Sequence, residues 1–148
     1  MSKARTNYNK TYFKWYQKIG FFGGNINKSK FEKFISKNDK VLDFGCGAGY
    51  LLTALNCKEK HGVEINPIAI KEAKANKIKV FRNSKKLKKN YYDKIISNNT
   101  LQHCDNPQNE IKLLYNALKK NGLIIIVTGC SSRNLKYTPR DINYQMYS

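Results

Sequence analysis

Cysteine is sparse in this chain and never paired for metal. Cys46, Cys57, Cys104 and Cys130 form no C-x-x-C, and with only two histidines they complete no plausible zinc set. Reduced thiols in a cytoplasmic protein are the expectation. No apolar run approaches the roughly 18 residues a membrane helix needs, and the first twenty residues lack the apolar stretch of a secretory signal. No internal repeat or linker interrupts the 148 residues, a length that suits one domain burying roughly 70% of its unfolded surface. Arginine is scarce too, four residues against a background of lysine.

What the chain has in excess is positive charge, formally +18. A basic surface attracts phosphates, so nucleic acid or an anionic membrane surface is one class of partner. Arginine is the residue that bidentate phosphate and guanine contacts favour, and it is the one that is missing. The lysines are spread along the whole chain, with asparagine abundant beside them. A compositional bias gives that picture as readily as a dedicated nucleic-acid surface, and is the reading preferred here.

Apolar spacing divides the chain into alternating elements. Tyr8, Tyr12, Trp15, Tyr16 and Ile19 follow the stripe of an amphipathic helix, which Gly20 ends and Gly23-Gly24 follows as a turn. This stripe either packs on the core or forms an aromatic lid. Residues 1–30 are thus read as a helical extension, with a short second helix at Phe31, Phe34 and Ile35. Strands are expected at Lys40–Phe44, Gly62–Ile65, Ile78–Phe81, Asp93–Ser97 and Leu123–Val127, the last continuously apolar as if buried on both faces. Helices between them carry Leu51, Leu52 and Leu55, then Ile70 and Ala73, then Ile111, Leu114, Tyr115 and Leu118, the last stopping at Asn121-Gly122. Asn66-Pro67 and Asn106-Pro107 read as a cap followed by a first helical residue. Residues 128–148 read as an irregular tail. Five strands alternating with helices predict an α/β fold, a doubly wound Rossmann-like parallel sheet in the order 3-2-1-4-5, whose ligand lies outside the carboxyl ends of the strands.

At that place stands Asp43-Phe44-Gly45-Cys46-Gly47-Ala48-Gly49-Tyr50. Glycines let backbone approach a ligand, and the helix that follows points free N–H groups at it. The pattern is not the dinucleotide G-x-G-x-x-G, since Tyr50 occupies the position of its last glycine. Glu64 comes 21 residues after Asp43, at the expected end of the second strand, where a carboxylate accepts hydrogen bonds from ribose hydroxyls. Together they describe a site for an adenosine ligand with a free ribose that is not a nicotinamide dinucleotide.

The Asp-x-Gly-x-Gly-x-Gly run followed by Gly62-Val63-Glu64 resembles motif I and the strand-two acid of class I S-adenosylmethionine-dependent methyltransferases. Tyr92-Asp93-Lys94-Ile95-Ile96-Ser97, Leu101-Gln102-His103 with Asn106-Pro107, and Leu118-Lys119-Lys120-Asn121-Gly122 are similar, in order, to that family's later segments. The likeness spans about Phe31 to Val127. The wider pattern is similar to small methyltransferases of surface-carbohydrate gene clusters, with Asp141-Ile142-Asn143-Tyr144 a weaker part of it.

The resemblance implies S-adenosyl-L-methionine as cofactor. It places Gly45, Cys46, Gly47 and Gly49 along the methionine portion, Asp43 at its ammonium, and Glu64 with Ile65 at the ribose. Asn83 or Ser84 falls where the family often has an acid for the adenine amino group, and neither is acidic. Asn98 and Asn99 border the sulfonium and the acceptor. The implied reaction is in-line methyl transfer to a small-molecule or carbohydrate acceptor, in which positioning supplies much of the rate. His103 is the candidate base, because its unperturbed pKa lies near neutrality; its other reading is to order the loop beside the cofactor. His61 reads as structural.

Two alternatives stay open. One is an RNA or DNA methyltransferase, motivated by the charge, although Ser97-Asn98-Asn99-Thr100-Leu101 lacks the Pro-Pro-aromatic grip on a flipped base. The other is a cofactor-binding protein without turnover. The family's last two strands do not follow the fifth, so a partner or a second copy is expected to cover that strand's edge.

Overall fold

The computed structural model describes Gly20 and residues 22–129. The expected helix at Tyr8–Ile19, the Asp141–Tyr144 segment and the tail beyond Gly129 lie outside the described residues. The elements run α1 (residues 22–28), β1 (Lys40–Phe44), α2 (Tyr50–Ala54), β2 (Glu59–Val63), α3 (Pro67–Ala75), β3 (Lys79–Phe81), β4 (Tyr92–Asn98), α4 (Pro107–Ala117) and β5 (Leu118–Val127). Single 3-10 turns sit at Glu32–Phe34, Ser84–Lys86 and Leu101–His103.

The five strands are parallel in the order β3-β2-β1-β4-β5, the doubly wound arrangement expected from the alternation of elements. β1 is central, and its alternation feeds two cores. Val41 packs with Phe31, Leu51, Leu52, Leu55, Ala73 and Ile96 on one face. Leu42 and Phe44 pack with Tyr92, Ile95, Leu101, Leu114 and Ala117 on the other. Helices therefore cover both faces, and the carboxyl ends of β1, β2 and β4 open at one pole. Among the described residues no helix is long and apolar enough to cross a membrane.

The caps at Asn66 and Asn106 form as read. Asn66 Oδ1 accepts from the N–H groups of Ile68 and Ala69, and Asn106 Oδ1 from that of Asn109, with proline first in each helix.

β3 and β4 agree with expectation to within a residue at each end, and larger differences lie elsewhere. β2 starts three residues before Gly62 and ends at Val63, two residues before Ile65, so Glu64 and Ile65 follow the strand. Its first half is polar, and packing hides that polarity. Glu59 pairs with Lys40 at 3.2 Å and accepts from the Tyr91 hydroxyl at 2.6 Å, while buried His61 meets the Tyr92 hydroxyl at 3.0 Å. α4 ends at Ala117, short of Asn121-Gly122, because the N–H groups of Asn90 and Tyr91 take the carbonyls of Asn116 and Ala117. Leu118 is already strand, paired with Tyr92 before a register shift. Among the described residues β5 is an edge strand, and it keeps Leu123 and Ile126 substantially exposed, so it is not buried on both faces despite its apolar run. Finally, Gly20 and Gly23-Gly24 are helical instead of a stop and a turn. Close packing, taken up below, explains those glycines.

Candidate functional site

β1 ends at Phe44 and the chain turns through three glycines with positive φ: +82° at Gly45, +53° at Gly47 and +80° at Gly49. All three adopt the left-handed region that side chains resist, but their surroundings differ. A Cβ on Gly45 would lie 2.2 Å from Thr100 Oγ1, and one on Gly49 would lie 2.7 Å from Ile78 Cγ1. Around Gly47 nothing comes within 4 Å. Gly47 is thus the open point of the turn. The N–H groups of Gly45 and Cys46 donate to the Val63 carbonyl at 2.9 and 3.1 Å, which stitches the turn to the end of β2. Cys46 points its thiol inward against Gly62, where a Cβ would approach Sγ to 2.3 Å. Burial pushes that thiol's pKa well up, and the thiol donates to the Gly47 carbonyl at 3.6 Å within the turn.

α2, which begins at Tyr50, has only five residues. The expected cradle of helix N–H groups is correspondingly slight, and the turn's own backbone and carboxylates dominate the site.

Two acids stand beside it. Asp43 is 3% exposed and its Oδ1 has no hydrogen-bond partner. Burial, with Glu64 nearby, raises its pKa to about 7. Glu64 sits one residue beyond β2, anchored by its N–H to the Phe81 carbonyl. Its side chain folds back: Oε1 accepts from the N–H groups of Ile65 and Asn66 at 2.8 Å each, and Oε2 accepts from Gly47 N–H at 2.9 Å. Ile65 leaves its side chain 40% exposed next to that carboxylate.

β4 supplies the third wall. Asp43 is in register with Ile96, and Asn98 follows two residues later on the same face of the sheet. Asn98 Oδ1 is buried and, like Asp43 Oδ1, has no partner. Asn99 takes a left-handed conformation (φ +54°) and donates its N–H to the Val127 carbonyl. The Thr100 hydroxyl donates to the Asn98 carbonyl at 3.3 Å and fills the space beneath Gly45. His103, half-buried, ends the 3-10 turn whose first residue, Leu101, is buried in the core. Beyond β3, Asn83 is extended and exposed, while Ser84 is buried with an unpartnered Oγ.

The fold thus gathers Asp43, Gly45, Gly47, Gly49, Glu64, Ile65, Asn98 and Asn99 around the strand ends, and Ser84 follows the end of β3. His61 lies within β2, not before it, in the polar cluster with Glu59 and Tyr92 that is away from the strand mouths. Sequence reading missed Thr100, Gly62, Asn66 as a partner of Glu64, and the docking of the N-terminal helical segment on Tyr50. Gly20 and Gly24 of the N-terminal helical segment press on Tyr50: a Cβ on Gly20 would be 2.2 Å from the Tyr50 ring, and one on Gly24 would be 2.8 Å from its backbone carbonyl. Tyr50 in turn donates its hydroxyl to the Glu72 carboxylate. The four-residue spacing of Gly20 and Gly24 was the available signal, since helical residues so spaced share a face.

Comparison with known proteins agrees with this geometry. A methyltransferase domain model matches residues 12–145. The ubiquinone biosynthesis O-methyltransferase of Rickettsia canadensis is 31% identical, over 77% of this chain and 57% of its own length. An uncharacterized methyltransferase of Bacillus subtilis, YdaC, is 28% identical over 60% of this chain and 55% of its own. The chain therefore spans little more than half the length of these curated relatives. Among solved structures, a candidate S-adenosyl-L-methionine-dependent methyltransferase of Methanococcus maripaludis superposes with a TM-score of 0.71 at 19% identity, covering 99% of this chain and 74% of that one. A SAM-dependent methyltransferase of Archaeoglobus fulgidus gives 0.62 at 23% identity, over 76% and 56%. Together with the Asp43 turn and the Glu64 loop, the match over residues 12–145 makes this chain a member of the methyltransferase domain family of class I, S-adenosylmethionine-dependent fold.

Proposed function

We propose that this chain takes S-adenosyl-L-methionine at the carboxyl ends of β1, β2 and β4 and transfers its methyl group to a small-molecule or carbohydrate acceptor. One observation carries the reading: two buried, unpartnered oxygens, Asp43 Oδ1 and Asn98 Oδ1, share a face beside the open Gly47. A buried polar atom without a partner costs about 1–3 kcal/mol, so this pair fits a ligand that brings N–H donors. The amino-acid end of the cofactor, with its ammonium, matches that need.

The remaining residues fit the rest of the molecule. Glu64 holds the ribose hydroxyls, Ile65 offers apolar surface beside them, and Ser84, with Asn83, meets the adenine edge. Gly45, Cys46, Gly47 and Gly49 admit the methionine portion to the backbone. When bound, the cofactor supplies a methyl group on a cationic sulfur that leaves as a neutral thioether. Asn98 and Asn99 orient the acceptor at that point. For a hydroxyl acceptor, His103 takes the proton as the new carbon–oxygen bond forms.

An RNA or DNA acceptor is the second reading, favoured by the net charge of +18. The two separate in one experiment, a cofactor-consumption screen across sugars, small hydroxyl compounds and RNA. Transfer to RNA that collapses in modest salt would select the second.

Cofactor binding itself is tested by titration calorimetry with S-adenosylhomocysteine. Glu64→Ala should weaken the complex by roughly 1.5–3 kcal/mol, the scale of hydrogen bonds to a charged group. Absence of heat with folded wild-type protein would overturn the cofactor reading. An unchanged affinity in the variant would remove Glu64 from the ribose.

A further inference from the structure

Glu64 accepts three backbone hydrogen bonds, which leaves little capacity for a ribose. A carboxylate offers about four lone-pair directions. Three are filled, Oε1 by the N–H groups of Ile65 and Asn66 and Oε2 by that of Gly47. A ribose diol presents two O–H donors, and one direction is left.

We propose that Glu64 is a positioning residue for the glycine turn as well as a ribose ligand, and that engaging both ribose hydroxyls makes it release Gly47 N–H to the amino-acid half of the cofactor. This rests on the cofactor reading above and adds a coupling between the two halves of the site.

The choice of bond follows from the geometry. Ile65 and Asn66 adjoin Glu64 in sequence, so the chain itself holds their N–H groups near Oε1. Gly47 reaches Oε2 from a separate loop, 17 residues away in sequence. It is also the one glycine of the turn whose Cβ direction is open, so a ligand can approach there, whereas Thr100 and Ile78 crowd Gly45 and Gly49. Its peptide stays in place, because the Cys46 carbonyl accepts from Gly49 N–H at 2.8 Å. Release requires only that the Glu64 carboxylate swing away. Once released, this N–H, whose hydrogen bond among the described residues is to Glu64, is open to an incoming ligand. The carboxylate of the methionine portion is the acceptor that the proposed site brings to the turn. The ribose thus unlocks the group that binds the other end.

The test reads the Gly47 amide in ¹⁵N-labelled wild-type protein by chemical shift and solvent exchange. The probes are 5′-methylthioadenosine, which has the ribose but no amino acid, its 2′-deoxy analogue, and S-adenosylhomocysteine. Methylthioadenosine at saturation should speed Gly47 exchange at least about tenfold over the free protein. S-adenosylhomocysteine should restore protection. The deoxy analogue, with one hydroxyl for the one remaining direction, should leave the amide unchanged.

Methylthioadenosine binding, seen through other resonances, with Gly47 unmoved would overturn the coupling while leaving the cofactor reading intact. Failure of all three ligands to bind would overturn both. In free Glu64→Ala protein, Gly47 should exchange fast from the outset; slow exchange there would show that Glu64 does not hold the turn. Should that variant not fold, the ligand arms on wild-type protein decide alone.

Discussion

Thr100 occupies the space that a side chain on Gly45 would need. Its Oγ1 lies 2.2 Å from where a Cβ would be, and its Cγ2 lies 2.3 Å away. The loop after β4 is thereby keyed into the turn after β1, and the two ends that form the candidate site are packed as one unit.

Two substitutions separate packing from backbone conformation. Gly45→Ala meets both Thr100 and a φ of +82°; Gly47→Ala meets a φ of +53° and open space. A left-handed alanine costs roughly 1–2 kcal/mol, and forced overpacking adds about 1–3 kcal/mol. Urea unfolding should therefore show Gly45→Ala destabilised well beyond Gly47→Ala. Equal losses would mean that Thr100 yields freely.

Asp43 predicts a proton linked to both stability and binding. Its folded pKa is raised from 3.8 to about 7, with burial the main cause and Glu64 the second. The folded state therefore keeps a proton that the unfolded state gives up. The contribution to stability is full below about pH 4, falls as pH climbs towards about 7, and is flat above that, amounting to a few kcal/mol. Asp43→Asn should abolish this slope. If Asp43 faces an ammonium, binding favours the ionised carboxylate and expels a proton near neutrality. Calorimetry with S-adenosylhomocysteine at pH 6.5, in buffers of different ionisation enthalpy, should show proton release in the wild type and none in Asp43→Asn. Buffer-independent heat in the wild type would contradict the assignment.

The N-terminal helical segment offers a third contrast on adjacent residues. Gly24 presses on the Tyr50 backbone, where a Cβ would stand 2.8 Å from the carbonyl, whereas Gly23 has nothing within 4 Å. Glycine inside a helix is disfavoured against alanine by roughly 0.5–1 kcal/mol. Gly23→Ala should stabilise by about that amount. Gly24→Ala should destabilise, because backbone cannot move aside as a flexible side chain can. Thermal unfolding of the pair checks both signs. Stabilisation by both would mean that α1 does not dock on Tyr50 as closely as described.

These contrasts mark what could be read in the sequence. Strand β1, the turn and the asparagine caps were legible because each rests on local chemistry: an apolar run, glycine's freedom, and a side chain bonding to N–H groups two or three residues on. The start of β2 was not. Glu59, Lys60 and His61 look like loop, and it is Lys40 from β1, Tyr92 from β4 and Tyr91 just before it that make the polarity of Glu59 and His61 tolerable. β5 misled in the opposite sense, since an apolar run gives no sign of whether a neighbour covers it. In the site, Asp43 and Glu64 stood out by spacing. That Glu64 turns back onto Gly47 depends on where two loops meet, and no spacing rule contains it.

The cluster at the far end of the sheet yields the last prediction. His61 Nδ1 meets the Tyr92 hydroxyl at 3.0 Å and its Nε2 faces Glu59 at 3.5 Å. With Nδ1 accepting the Tyr92 proton, Nε2–H points at the carboxylate and the ring is neutral. Burial lowers the His61 pKa from 6.5, Lys79 and Lys40 lower it further, and Glu59 opposes them. The folded state thus prefers the neutral ring more than the unfolded state does. This contribution is present above about pH 6.5 and is lost as pH falls through the lowered folded value, the reverse of the Asp43 slope. Tyr92→Phe removes the hydroxyl that donates to a buried ring nitrogen and should cost about 1–3 kcal/mol at neutral pH. His61→Asn, which can still accept from Tyr92, should retain more stability at pH 5 relative to pH 7.5 than the wild type does. Parallel pH dependence in the two proteins would show that folding does not shift the His61 pKa. A wild type relatively more stable at pH 5 than His61→Asn would show the ring protonated in the fold and reverse the assignment of its tautomer.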